Sequence, residues 1–350
     1  MLVVVPSLGP NAMDRGDAEI RMVQVLRAAA CLLVVAYHAV IFRPGAVHSW
    51  PNGATGVDLF FVISGYVMVV SSRGLAGRPE GWRIFLARRV RRIVPLYWLL
   101  TTTKYALCVA APALTPHSHP TAWNFVASLL FIPTHDQFGT IRPVLPVGWT
   151  LNYEMLFYGL FATTLAARVN PLWTTPMLAG LAVAGFWHDA SWPAVFSLAN
   201  GMVLEFAAGM AIASLRWRIP ARAAPWALLA GFILLLSIPP AGHWRFLAWG
   251  LPAAVILAAS LALESRVGSR VPNWLVAVGD GSYAIYLVHP FIVSPLAGFS
   301  AGIAAATVLA SVVAGLLVHR WLDTPLRRGL RGRRQPLVAY DAAGAGILSG

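Results

Sequence analysis

The sequence predicts an all-α integral membrane protein, a bundle of about ten transmembrane helices with both termini in the cytoplasm. Three observations lead there. Apolar runs long enough to cross a bilayer follow one another along nearly the whole chain. Charge is scarce, with 58% of the 350 residues hydrophobic, 11% charged and a mean hydropathy of +0.68; a soluble domain carries about 25% charged residues. The Lys and Arg residues also gather on alternate connections.

The runs are placed at 22–42, 54–72, 92–111, 146–167, 172–188, 194–214, 223–240, 245–263, 274–294 and 299–320. The first carries Arg27 and His38 within apolar sequence, and the second opens on Asp58. The third follows a basic stretch, Arg88-Arg89-Val90-Arg91-Arg92, and the fourth holds Glu154. The fifth and seventh are short or flanked by proline and carry the weakest signal. The sixth contains Glu205, and the ninth contains Tyr283, Tyr286 and His289. The segment Trp123–Ile132 is apolar but too short to span, which suits a re-entrant or interfacial segment.

With the N-terminus inside, 22 of the 26 basic residues fall on inner connections and ends, and only Arg43, Lys104, Arg142 and Arg245 fall outside. That asymmetry sets the orientation. It also accounts for the net charge of +13 as a topology signal, so no nucleic-acid partner is expected. The domain organisation follows: a cytoplasmic segment at 1–21, a membrane domain at 22–326 and a basic, flexible cytoplasmic tail at 327–350. The apolar start, Leu2–Val5, is short and lacks a basic leader, so it does not read as a signal peptide. The longest connection, Pro112 to Leu145, lies outside and is too small for a catalytic domain. Cys31 and Cys108 both lie in apolar runs and read as packing residues, with no disulfide framework and no metal-ligand spacing; no metal is expected.

Arg27 and His38 are eleven residues apart in one run. Eleven steps of a helix make about three turns, so both side chains leave one face, roughly 16 Å apart along the axis. Ionisable groups are costly in lipid and should face protein or water. Sorting by depth gives two layers: an upper acid-base set of His38, Asp58, Glu154 and His289, and a lower guanidinium set of Arg27 with the Arg88–Arg92 cluster. Guanidinium forks match phosphate oxygens. A ligand with phosphates at one end and a reactive arm spanning that separation fits the two layers, and coenzyme A has that shape. Plainer readings stand beside this one. Basic residues at the foot of a span are topology determinants, Arg27 can snorkel, and Asp58 can cap its helix. His38 and Glu154 can be packed polar residues, and Tyr283 and Tyr286 can belong to an aromatic belt.

Six segments, in order, resemble acyltransferase family 3 of bacterial membrane O-acyltransferases. They are Arg27 with ten residues to His38; Gly56-Val57-Asp58-Leu59-Phe60-Phe61-Val62-Ile63-Ser64-Gly65; Arg89-x-x-Arg92 before Pro95-Leu96-Tyr97-Trp98; Gly148-Trp149-Thr150-Leu151-Asn152-Tyr153-Glu154 through Phe157-Tyr158; Ser282-Tyr283-Ala284-Ile285-Tyr286-Leu287-Val288-His289-Pro290; and Asp323-Thr324-Pro325, where many members have Glu. The fourth segment and the preceding Pro143-Val144-Leu145 are most similar to the exopolysaccharide O-acetyltransferase branch. The resemblance implies ten spans in the bacterial inner membrane, acetyl-CoA as acyl donor and a glycan or lipid-linked oligosaccharide hydroxyl as acceptor. Its functional weight falls on Arg27, His38, Arg89, Arg92 and Glu154.

The reading of the residues is then an O-acetyltransferase. The donor's phosphates rest on Arg89, Arg92 and Arg27, and His38 is the general base. Asp58 or Glu154 orients the imidazole, and Tyr283, Tyr286 and His289 contact substrate. Direct transfer and an acetyl-histidine intermediate both remain open. Competing readings are an O-acyltransferase of a macrolide-like metabolite, a transporter using His38, Asp58 and Glu154 as a proton relay, and an assembly partner of a polysaccharide export machine. The transporter lacks a repeat signal and leaves the basic cluster unexplained.

Overall fold

The structure, a computed structural model, describes residues 20–41, 51–115, 118–189, 191–215, 219–239, 242–294 and 301–330. Every element of regular structure among these is helical, apart from one isolated bridge between His135 and Ile141. In chain order the α-helices are α1 (Arg21–Ile41), α2 (Gly56–Ser72), α3 (Gly81–Ala110), α4 (Ala122–Leu129), α5 (Trp149–Ala166), α6 (Thr174–Ala184), α7 (Val203–Leu215), α8 (Ala224–Ser237), α9 (Leu251–Val267), α10 (Asn273–Val293), α11 (Ala301–Val318) and α12 (Thr324–Gly329). Short 3-10 turns extend several of them, and π-helical turns at Phe246–Gly250 and His319–Asp323 join α9 and α12 to the chain before them.

Seven helical stretches among the described residues are long and apolar enough to cross a membrane: Arg21–Val40, Pro51–Ser72, Gly81–Ala110, Ala194–Leu215, Phe246–Arg270, Asn273–Val293 and Ile303–Gly329. The other three predicted runs also hold helices, namely α5, α6 and α8. Helix α5 has 18 residues, but Asn152, Glu154 and two tyrosines dilute its apolarity. Helices α6 and α8 have 11 and 14 residues, which reach only about 16 and 21 Å against a hydrocarbon core of about 30 Å.

The predicted boundaries need three adjustments. Helix α3 starts at Gly81 instead of at Arg92 and has 30 residues, so the basic cluster lies within a helix about 45 Å long instead of at its foot. The short segment at Trp123–Ile132 becomes α4, opened by a reciprocal cap between Thr121 and Asn124 and laid against α3, where the Trp98 indole donates to the Leu129 carbonyl at 2.8 Å. The expected boundary between residues 326 and 327 cuts through α12, because Arg327 reaches back one turn to Asp323. Of the residues used for orientation, Arg15, Arg43, Arg216, Arg218, Arg331, Arg333 and Arg334 lie outside the described residues, as do most of the 1–21 segment and of the 327–350 tail.

Small residues set the helix spacing, as expected where lipid supplies no hydrophobic drive between helices. Helices α2 and α7 approach so closely that a methyl group at Gly209 would sit 2.0 Å from the Val62 carbonyl oxygen, and one at Gly65 2.1 Å from that of Phe206. Against this seam stack Phe61 and Phe206, with ring centroids 4.5 Å apart, and Phe206 and Phe157 at the same distance. Helix α1 packs on α10 in the same way, with a methyl at Gly279 falling 2.2 Å from the Gln24 carbonyl. At the start of α1 the Arg21 and Met22 amides donate to the Glu264 carboxylate of α9 at 3.1 and 2.8 Å. This satisfies helix-end donors that have no partner of their own.

Gly209→Val is expected to force α2 and α7 apart and cost about 1–3 kcal/mol or more of stability. In thermal unfolding of detergent-purified protein it should lower the midpoint well beyond Gly159→Ala, where the added methyl meets open space.

Candidate active site

Six of the nine residues singled out from the sequence line one cavity: Arg27, Arg89, Arg92, Glu154, Tyr283 and Tyr286. The cavity opens between α1, α2, α3, α5 and α10 and holds about 750 Å³ of empty space, its mouth included. Its other walls are largely apolar, from Val57, Phe60, Phe61 and Ile63 to Met68, Ile93 and Leu151.

The arginines enter by helical register. On α3, Arg89 is buried and Arg92 half-buried, whereas Arg88 and Arg91 are exposed. Positions three apart share a face and their neighbours do not. The Arg89 Nη2 donates to Ser71 Oγ at 3.2 Å, and its cation lies 5.8 Å from the Phe85 ring centroid. Arg27 is held by α10, with Nε donating to the Gly279 carbonyl at 3.2 Å and Nη2 to Ser282 Oγ at 2.9 Å. Arg92 lines the cavity without a hydrogen bond or ion pair among the described residues.

Glu154 is the one carboxylate on the wall. Its Oε1 accepts from Ser64 Oγ at 2.6 Å and from the Tyr158 hydroxyl at 2.7 Å. Its charge acts on Arg27 and Arg89. Three guanidiniums against Glu154, and against the exposed Asp280 whose charge also acts on Arg27, leave an excess of positive charge in a largely apolar chamber, the condition for holding an anion. Tyr283 and Tyr286 also face it, but their hydroxyls are engaged: Tyr283 donates to the Ile93 carbonyl at 2.7 Å, and Tyr286 lies 3.0 Å from both the Val147 carbonyl and Thr150 Oγ1.

His38 and His289 do not line the cavity. They form a pair beside it, with ring centroids 5.0 Å apart, and His289 lies 5.8 Å from the ring of Tyr286, which does line it. The His38 Nδ1 lies 2.9 Å from the Val34 carbonyl oxygen and 3.3 Å from His289 Nε2. A carbonyl only accepts, so those partners assign the hydrogen of the neutral ring to Nδ1 and its lone pair to Nε2.

Two expectations about the carboxylates are corrected. Glu154 sits with the guanidiniums and not in an upper layer with His38. Asp58, expected beside His38, points away from both the cavity and the histidines. Its two oxygens accept from Arg245 Nε and Nη2 at 3.0 and 2.9 Å, and Arg245 in turn lies over Trp249, 4.6 Å from the ring centroid. Neither carboxylate is the group on His38 Nδ1; Val34 and His289 are. The physical reason is that Asp58 is fully buried, and a buried carboxylate needs a directly bonded cation. Glu205, also fully buried, lies within electrostatic reach of this pair but makes no ion pair with Arg245 among the described residues.

Sequence reasoning passed over several residues of these sites. Tyr158 was legible, since it follows Glu154 by four positions on one helix face. Ser64 and Ser282 stand inside the segments that carried the family resemblance. The partnership of Asp58 with Arg245 joins residues 187 positions apart, and no local pattern points to it.

The sequence profile of the "Acyltransferase domain" family matches residues 21–319. The chain is similar to the "Exopolysaccharide production protein ExoZ" of Rhizobium meliloti (strain 1021), with 38% identity over 308 residues covering 82% of this chain and 93% of that one. It is similar at 27% identity to the "Acyltransferase MdmB" of Streptomyces mycarofaciens, over 83% of this chain and 85% of that one. It also shares 22% identity with the "Peptidoglycan O-acetyltransferase OatA" of Listeria monocytogenes serovar 1/2a, over 87% of this chain and 55% of that longer one. No solved structure matches.

Arg245→Ala should leave Asp58 buried without its cation and cost about 3–5 kcal/mol. Thermal unfolding in detergent checks it, and the double variant Arg245→Met/Asp58→Leu should recover most of the loss.

Proposed function

The chain belongs to this acyltransferase family, and on that premise we propose that it moves an acetyl group from cytoplasmic acetyl-CoA to a hydroxyl of an exopolysaccharide or other cell-surface glycan. It does so from the bacterial inner membrane, as a ten-span bundle with cytoplasmic termini. The observation that carries this reading is the cavity with Arg27, Arg89 and Arg92 on its wall, set beside the His38–His289 pair. The names of ExoZ and OatA supply the class of acceptor.

In this reading the donor's phosphates rest on Arg89, Arg92 and Arg27. Glu154, held by Ser64 and Tyr158, keeps Arg27 and Arg89 turned into the cavity by its charge. The pantetheine arm follows the face of α1 that joins Arg27 to His38, roughly 16 Å along the helix axis. His38, with its hydrogen on Nδ1, offers the Nε2 lone pair to the acceptor hydroxyl. The hydroxyl oxygen attacks the thioester carbonyl as its proton passes to Nε2. The tetrahedral intermediate then collapses, the carbon–sulfur bond breaks, and the proton leaves His38 with the coenzyme A thiol. His289, in place of a carboxylate, orients the imidazole. Tyr283 and Tyr286 shape the passage; their hydroxyls are committed to backbone carbonyls, so the oxyanion is not assigned to them.

His38→Ala should abolish O-acetylation of the host polysaccharide at normal protein levels, read by NMR of the isolated glycan; full acetylation there ends the base assignment. Arg89→Ala should weaken acetyl-CoA binding to purified protein by about tenfold or more, since a charge-assisted hydrogen bond contributes about 1.5–3 kcal/mol. Unchanged binding would remove the phosphate role.

A further inference from the structure

A second inward stripe of polar residues faces the arginines of α3. His319, Asp323 and Arg327 follow one another at four-residue intervals through the π-helical turn and α12. They are half-buried, buried and half-buried, whereas Arg320 and Arg328 are exposed. The turn and α12 both pack on α3. One oxygen of Asp323, Oδ2, accepts from Arg327 Nη2 and lies 3.0 Å from His319 Nδ1. The other, Oδ1, is buried without a hydrogen-bond partner. Arg327 lies within electrostatic reach of Arg27 and Tyr283 on the cavity wall, and His319 within reach of Arg27 and Arg92. A methyl group at Gly281, next to Ser282, would touch the His319 side chain at 3.7 Å.

Four guanidiniums thus gather at this end of the bundle, three on the cavity wall and Arg327 beside it, with half-buried Glu154, buried Asp323 and exposed Asp280 as the carboxylates that act on them. Like charges brought together inside a membrane protein repel unless an anion joins them. The π-turn bears on this as well, since such turns cluster at functional sites. It carries His319 and Asp323 to the face that meets α3.

We infer that Arg327, tethered by Asp323 and flanked by His319, is a fourth guanidinium of the anion site and binds a phosphate of the acyl donor together with Arg92. The inference rests on the donor reading given above. Asp323 is then a positioning residue: without it, the flexible Arg327 side chain is free to turn to solvent as Arg328 does. A phosphate of the inner lipid leaflet offers the same chemistry, and the test separates the two sources.

The full chain, purified in a phosphate-free detergent with its lipid removed, is titrated with coenzyme A and with pantetheine, which has the arm and no phosphate. Arg327→Gln should weaken coenzyme A binding about tenfold, in line with one charge-assisted contact, and leave pantetheine binding unchanged. Because Arg327→Gln also strips Asp323 of its cation, Arg327→Gln/Asp323→Asn serves as the second variant and should show the same loss. Arg327→Lys should recover part of the affinity. Equal coenzyme A affinity in wild type and both glutamine variants overturns the inference while leaving the donor reading intact. Parallel loss of coenzyme A and pantetheine binding also overturns it, as a structural effect. A deficit that appears only in phospholipid bilayers, and not in lipid-free detergent, assigns the residue to lipid and overturns it too. If wild-type protein binds no coenzyme A at all, the donor reading itself fails.

Discussion

A guanidinium placed inside a membrane bundle must find every one of its partners within the protein, and Arg27 imposes that constraint here. It stands on α1, but its donors go to Gly279 and Ser282 of α10. Those contacts require α1 and α10 to lie almost backbone to backbone, which the absence of a side chain at Gly279 permits. Once this pair of helices is fixed, Tyr283 and Tyr286 are turned toward α3 and the 3-10 turn before α5, where their hydroxyls close onto Ile93 and Val147. The cavity is the space left when these polar demands are met.

Three polar groups are embedded in the apolar bundle, and each is balanced by a different means. The arginine set leans on Glu154 and on backbone and hydroxyl oxygens, and keeps an excess of positive charge. The histidine pair needs no counter-ion, because two neutral rings can share a hydrogen with a carbonyl. Asp58 is balanced by Arg245, where the chain re-enters α9 through a π-turn. The stack of Phe61, Phe206 and Phe157 runs along the α2–α7 seam. In a medium of low effective dielectric, charges act over longer distances than in water. The excess positive charge of the arginine site and the buried Asp58–Arg245 pair are therefore felt beyond their own contacts.

Much of this was legible in the sequence because helical register is a short-range property. The spacing of Arg27 and His38, and of Arg89 and Arg92 against Arg88 and Arg91, tells which side chains share a face without any tertiary information. Depth was less legible. Counting residues from the end of a span put Glu154 level with His38, but its carboxylate is held by Ser64 and Tyr158 on the cavity wall, in the company of the arginines. Partnership across the bundle was not legible at all. Asp58 reads as an acid near a histidine until Arg245 is seen to occupy both of its oxygens. Arg327 reads as the start of a basic tail until the π-turn at His319–Asp323 aims it inward, since a four-residue stripe counted on α-helical register alone ends where the apolar run ends.

The position of Tyr286 ties these groups into one device. Its ring lines the cavity on one side and meets His289 on the other, while its hydroxyl is held at the turn Pro146–Gly148. The histidines themselves are off the cavity wall. Tyr286 thus touches both the chamber that suits phosphates and the histidine pair that suits proton transfer. In the proposed reaction, which carries an acyl group between two sides of a membrane, a ring at this position has a physical use. An open channel from the arginines to His38 would admit water to the thioester and let protons cross, and an aromatic ring in contact with both sites leaves less room for either.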